Sequence, residues 1–224
     1  MQTVIKLRDI IAKLETSAII QKKHLKLLLV IAAVLALAYA VLSWLVFNNY
    51  LTGFDAVVEE TISAWSFKGL HTYFDFVTDS RTIVGTTMLV VAILVLRKQV
   101  RLAAFIIMAT GGSWLLSLMF KFMFERVRPG VDIDDDIFAY PSGHATLAIC
   151  LYGALIFITT EFVRTRWVRL LINTGLTLFI ISIGLSRVYF GYHYPTDVLA
   201  GWFMGGSYLL FLITGYHLSS LLKP

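Results

Sequence analysis

Apolar residues in this chain come in long blocks separated by short polar connections, the pattern of helices that cross a membrane. Residues 27–47 carry no charge and form the first predicted span. Further spans are predicted over 83–96, 102–120, 145–160, 168–185 and 198–222. The second is short unless protein shelters its polar outer end at Ser80 and Arg81. Ahead of the first block, Val4, Leu7, Ile10, Ile11 and Leu14 fall at helical spacing opposite Lys6, Arg8 and Lys13, which predicts a helix lying on the membrane surface. Between the first two spans, Phe54, Val57, Val58, Ile62 and Trp65 share one face. After Gly69, so do Leu70, Tyr73, Phe74 and Val77. These predict two short interfacial helices with Trp65 and Tyr73 at headgroup depth, serving either as cover for the bundle or as a gate over a lipid path. The expected fold is an all-α membrane protein, a six-transmembrane-helix bundle with short interfacial helices. It forms one domain over 1–224, with an amphipathic segment at 1–24 and the bundle at 27–222. The sequence holds no internal repeat and no low-complexity linker.

Composition supports the membrane class: 58% of the 224 residues are hydrophobic and 15% charged, with mean hydropathy +0.78. The net charge of +5 does not point to nucleic acid, because the basic residues are spread over connections rather than gathered on one face. Their distribution sets an orientation instead. Thirteen of the nineteen lie on the side of the termini, including Lys22, Lys23, Lys26, Arg97, Lys98, Arg101, Arg164, Arg166 and Arg169. The positive-inside rule therefore makes the termini cytoplasmic. Cys150, the single cysteine, lies within an apolar run; it rules out an internal disulfide and reads as a packed, inert thiol. The first 24 residues are too polar and basic for a cleavable signal peptide, so the N-terminus is expected to be retained.

Three segments on the expected outer face hold nearly all the unusual polarity. In the first, Lys121 and Arg128 are seven residues apart, two helical turns, so both project from one face before Pro129 stops the helix. They read as a receptor for an anion or as local partners of Glu125. In the second, Pro141-Ser142-Gly143-His144, Ser142 is a good N-cap and Gly143 permits close approach. The amides of a helix start suit phosphate, while an ordinary cap with an interfacial histidine accounts for the same residues. In the third, Ser186 to Asp197, Arg187 can grip phosphate oxygens bidentately, and Pro195 places Asp197 in the first turn of the last span, within reach of His193. A carboxylate on one ring nitrogen makes the other a better nucleophile, although such pairs also serve as structural hydrogen bonds. Ionisable groups at a membrane edge are costly to keep there, and all three segments carry phosphate-compatible ones.

Lys121, Arg128-Pro129, Pro141-Ser142-Gly143-His144, Ser186-Arg187, His193 and Asp197 together resemble the three-part signature of the type-2 phosphatidic acid phosphatase family, which is itself similar in its active site to vanadium haloperoxidases. All eleven fixed positions match, and the bundle at 27–222 is covered. The resemblance implies that His193 attacks phosphorus, that Asp197 orients it, and that His144 protonates the departing oxygen. It further implies that Lys121, Arg128, Arg187, Ser142 and the Gly143 amide hold the phosphoryl oxygens. No metal or other cofactor is required, since fixed cations supply the charge magnesium would bring. The acidic cluster Asp132, Asp134, Asp135 and Asp136 between the first two segments is outside the signature and reads as a solvated loop or a metal site.

The expected function is a metal-independent lipid phosphatase of a bacterial plasma membrane acting at the outer leaflet. Its partners would be the bilayer and a lipid substrate: phosphatidic acid, phosphatidylglycerophosphate or undecaprenyl pyrophosphate. No nucleic acid and no obligate protein partner are expected. The rivals are a lipid phosphotransferase using the same phosphohistidine, and a phospholipid-binding or transport protein without turnover, for which His193, His144 and Asp197 would be surplus.

Overall fold

The computed structural model describes residues 2–65, 71–129 and 138–221. Helix α1 runs from Gln2 to Phe47, α2 from Thr52 to Ser63, α3 from His71 to Thr78 and α4 from Ser80 to Leu96. A run from Val100 to Phe124 follows, divided into α5 (Val100–Ile107), a π-helical turn (Met108–Gly112) and α6 (Ser113–Phe124). Helices α7 (Gly143–Phe162), α8 (Arg166–Tyr189) and α9 (Pro195–Leu221) complete the bundle. Among the described residues, five helical segments are long and apolar enough to cross a membrane, and Arg81–Leu96 is a shorter apolar helix. Its polar end is capped as its composition requires: the Asp79 side chain accepts from the amide of Arg81 at 2.7 Å.

The lipid-facing surface can be read directly from α1. Leu27, Val30, Val34, Leu37, Val41 and Trp44 are exposed at alternating spacings of three and four, while Leu25, Ala32 and Tyr39, seven apart, are buried. An exposed stripe of large apolar side chains on one face of a helix is tolerated only where hydrocarbon replaces water. The buried stripe packs along α9, which also packs on α7, and α7 in turn on α8. Phe105, Ile106, Cys150, Ala154 and Leu209 fill the centre of the bundle. Ile83, Leu151, Ile180 and Ile183 fill the space between α4, α7 and α8.

Two expectations change. The amphipathic segment at 2–20 is not a separate surface helix: it continues without a break into the first span, and 46 residues make a rod of roughly 69 Å, more than twice the hydrocarbon thickness. The helix that continues from the third span ends at Phe124, not at Pro129. Glu125 takes the left-handed conformation at φ 45° as the helix cap, and its amide closes on the Lys121 carbonyl at 3.0 Å. Arg128 is therefore delivered by a non-helical segment, which a bridge between Val127 and Phe138 holds in place. Two short helices form where the interfacial ones were expected, at α2 and α3, whereas Asp132, Asp134, Asp135 and Asp136 lie outside the described residues.

Candidate functional site

Local structure explains how each candidate residue is placed. Ser142 is the N-cap of α7 and its side chain accepts from the Ala145 amide at 3.4 Å. Its own amide donates to the Asp197 carbonyl at 3.0 Å, which ties the start of α7 to the start of α9. Gly201, one turn further along α9, lets these elements approach. A Cβ there would stand 2.7 Å from the Ser142 carbonyl oxygen and 3.0 Å from the Ala145 Cβ. The loop between α8 and α9 turns at Gly191, where φ is +69°. The Arg187 carbonyl accepts from the amides of both Tyr192 and His193, at 3.0 and 3.1 Å, folding the histidine back over the end of α8.

His193 and Asp197 are both buried, at 1% and 0% exposure. Nδ1 of His193 faces Oδ2 of Asp197 at 3.5 Å, a contact looser than a formed hydrogen bond. Such contacts often tighten only when substrate arrives. Burial pushes the imidazole below its usual pKa, and the positive charges of Arg128 and Lys121 act in the same direction against the pull of Asp197. His144 feels the charges of Arg187, Lys121 and Arg128 and couples to His193 as well. The two histidines and the three cations therefore share one neighbourhood, although they come from α6, the segment after it, α7, α8 and the loop before α9. Arg187 is buried at 5% exposure, with Nε 3.3 Å from the Ser186 hydroxyl and its guanidinium 5.0 Å from the Tyr192 ring centre.

Four further residues belong here that the sequence reading passed over. Arg126 donates from one guanidinium nitrogen to Asp197 Oδ1 and to Thr196 Oγ1. From the other it donates to Asp55 Oδ2 at 2.7 Å. Asp55, only 2% exposed, also accepts from the Thr196 amide at 3.0 Å and from its hydroxyl at 2.8 Å. Burial lowers the proton affinity of Arg126, but Asp197 and Asp55 more than offset this and hold it charged. The signal for Asp55 lay in its spacing: it falls on the same helical face as Val58 and Ile62, a carboxylate on a stripe otherwise meant for burial. Ser117 lies one turn before Lys121 and is 3% exposed. Its hydroxyl has no hydrogen-bond partner among the described residues and sits 3.4 Å from where a Gly143 Cβ would be.

Beside this polar cluster is an apolar cavity of about 200 Å³, lined by Ile62 from α2, Trp65 just after it, Phe74 from α3, and Ser182, Leu185, Ser186, Tyr189 and Phe190 from α8 and its end. Among the described residues, no group of three or more histidine, cysteine or acidic side chains is arranged to hold a metal ion.

The PAP2 superfamily model matches residues 24–220, nearly the whole chain and all three segments. The chain belongs to the PAP2 superfamily. Among its relatives is phosphatidylglycerophosphatase B of Bacillus subtilis, 34% identical over 111 residues, 47% of this chain and 53% of that protein. Undecaprenyl-diphosphatase of Sulfolobus acidocaldarius is 36% identical over 75 residues, 34% of this chain and 32% of that protein. Human glucose-6-phosphatase 3 is 32% identical over 88 residues, covering 38% and 22%. The matches thus span about half or less of these relatives. The fold is similar to the crystal structure of a transmembrane PAP2-type phosphatidylglycerolphosphate phosphatase from Bacillus subtilis. The TM-score is 0.74 at 21% identity, covering 86% of this chain and 97% of that one. The chain is thus a multi-pass membrane protein of this superfamily, as its resemblance implied.

Proposed function

We propose that this protein is a membrane lipid phosphatase that works through a phosphohistidine on His193. The observation that carries the reading is the meeting of a buried His193–Asp197 pair with His144 and three cations. In the first step Nε2 of His193 attacks phosphorus, the bond from phosphorus to the leaving oxygen breaks, and His144 gives that oxygen a proton. Lys121, Arg128, Arg187, Ser142 and the Gly143 amide hold the three phosphoryl oxygens as their charge grows. Asp197 stabilises the imidazolium character that His193 acquires. In the second step water attacks the phosphohistidine, His144 takes its proton, the phosphorus–nitrogen bond breaks and free phosphate leaves. The fixed cations provide the charge neutralisation, so the reaction needs no metal ion.

A lipid substrate is favoured by the apolar cavity next to Ser186. A tail seated there between α2, α3 and α8 leaves its headgroup beside Arg187, which gives the interfacial helices the role of a lipid path. The names of the relatives suggest phosphatidylglycerophosphate and undecaprenyl diphosphate as candidates, and the motif resemblance adds phosphatidic acid. The distribution of basic residues supports a site on the outer side of the membrane with the termini cytoplasmic, and the bacterial plasma membrane is the proposed location. All of these functions sit within one bundle, so the chain acts as a single domain.

The test is to incubate purified protein in liposomes with each of the three lipids and to follow free phosphate, comparing kcat/KM. Turnover of at least one with release of inorganic phosphate is expected. Tight lipid binding with no phosphate released from any of the three would replace the phosphatase with a lipid-binding protein.

A further inference from the structure

We propose that Asp55 and Arg126 are positioning residues that set the reactive orientation of His193 through Asp197. The inference rests on the phosphatase reading above. The bonding of Asp197 divides its two oxygens. Oδ1 is engaged by Arg126, while Oδ2 accepts from the Tyr194 amide at 2.9 Å and faces Nδ1 of His193. With one oxygen fixed, the carboxylate cannot rotate, and the other is presented to the imidazole in one geometry. Arg126 is fixed from the far side by Asp55, and its guanidinium lies 4.2 Å over the ring centre of Tyr194. Asp55 also grips the amide and hydroxyl of Thr196, in the first turn of α9.

The clamp has a reason in charge. Asp55 and Asp197 are two carboxylates at 2% and 0% exposure with one guanidinium between them. Removing the cation leaves two buried acids facing one another, and such groups are satisfied only by pairing. Arginine suits the position because its planar fork donates in two directions at once, which an ammonium does with less geometric control. The clamp also gathers distant parts of the chain, since Asp55 comes from an interfacial helix and Arg126 from the segment after α6.

An ion pair that served stability alone would predict different kinetics from one that aims Asp197. In Asp55→Asn and Arg126→Lys, kcat should fall by about 10- to 100-fold, the effect of misplacing a reacting group by a fraction of an ångström to an ångström. KM should stay within about threefold, because Lys121, Arg128 and Arg187 still bind the phosphate. In Arg126→Gln the acid limb of the kcat/KM profile should move to higher pH, since Asp197 freed from its cation holds the protonated imidazole more firmly. The other charged and titratable groups around His193, namely Arg128, Lys121, Arg187 and His144, are unchanged in these variants.

Chemical rescue separates aiming from folding. A cavity of about 140 Å³ lined by Val46, Phe47, Asn49, Phe124 and Tyr140 adjoins Arg126, a route by which guanidinium ion can reach the place of a missing side chain. Arg126→Ala should therefore regain part of its kcat in millimolar guanidinium, with vanadate affinity near that of the wild type throughout. Wild-type kcat in both Asp55→Asn and Arg126→Ala would overturn the inference. So would a loss that tracks lost vanadate binding and is not rescued, which marks a purely structural pair. Wild type and His193→Gln run alongside separate the two levels. Wild type without turnover removes the phosphatase reading and the clamp's role with it. An active wild type, an inactive His193→Gln and unimpaired clamp variants remove the clamp alone.

Discussion

The amide of Ser142 donates to the carbonyl oxygen of Asp197 at 3.0 Å. That single bond joins the segment proposed to cradle phosphate to the segment proposed to orient the nucleophile, so the two halves of the site move as one. Gly201 makes the contact possible, since any side chain there meets the Ser142 carbonyl at 2.7 Å. Gly201→Val is expected to cost about 1–3 kcal/mol by overpacking and to reduce phosphate release at least tenfold. Gly201→Ala should show a smaller effect of the same sign. Melting in detergent followed by circular dichroism, with a phosphate assay alongside, measures both. Unchanged melting and turnover in Gly201→Val would mean that α7 and α9 are not held this tightly.

Arg187 is buried and its backbone carbonyl anchors the histidine loop through Tyr192 and His193. Arg187→Lys preserves the charge and the main-chain bonds but loses the fork. Hydrogen bonds to a charged group contribute about 1.5–3 kcal/mol, so kcat/KM should drop roughly 10- to 100-fold with melting temperature nearly unchanged. Equal kcat/KM in the two proteins would take Arg187 out of phosphate binding.

Acid should weaken the fold through His193. Burial first, then Arg128 and Lys121, hold its folded pKa below the ordinary value. The unfolded chain takes up a proton near pH 6.5 where the folded chain does not, so stability is full above that pH and falls as pH drops below it. Wild type should lose melting temperature more steeply than His193→Gln between about pH 6.5 and 5. Parallel curves would contradict a buried neutral imidazole.

Chelation gives a separate check on the charge inventory. If Lys121, Arg128 and Arg187 neutralise the phosphoryl group, millimolar EDTA should leave the initial rate of phosphate release within about twofold. Loss of activity restored by magnesium would show that these cations are insufficient.

How much of this was legible beforehand differed by kind of information. The spans followed from apolar blocks, because a bilayer enforces length and helicity. Lys121, Arg128, Ser142, Gly143, His144, Arg187, His193 and Asp197 could be picked out because they interrupt those blocks at fixed spacings. The helix end at Phe124 was missed because nothing in Glu125 announces a left-handed cap, a position usually given to glycine or asparagine. The continuity of α1 was missed because amphipathic spacing reports a face and not a bend. Asp55 was missed for a third reason: its partners, Arg126 and Thr196, lie 71 and 141 residues away, and no local pattern reports a contact made by folding.

The central claim is that His193 carries the phosphoryl group. Rapid base quench of wild-type protein turning over a lipid labelled with ³²P in its phosphate should trap a protein-bound label that is stable to base, labile to acid and absent in His193→Gln. Label of the same stability in His193→Gln, or turnover by that variant at the wild-type rate, would contradict the account.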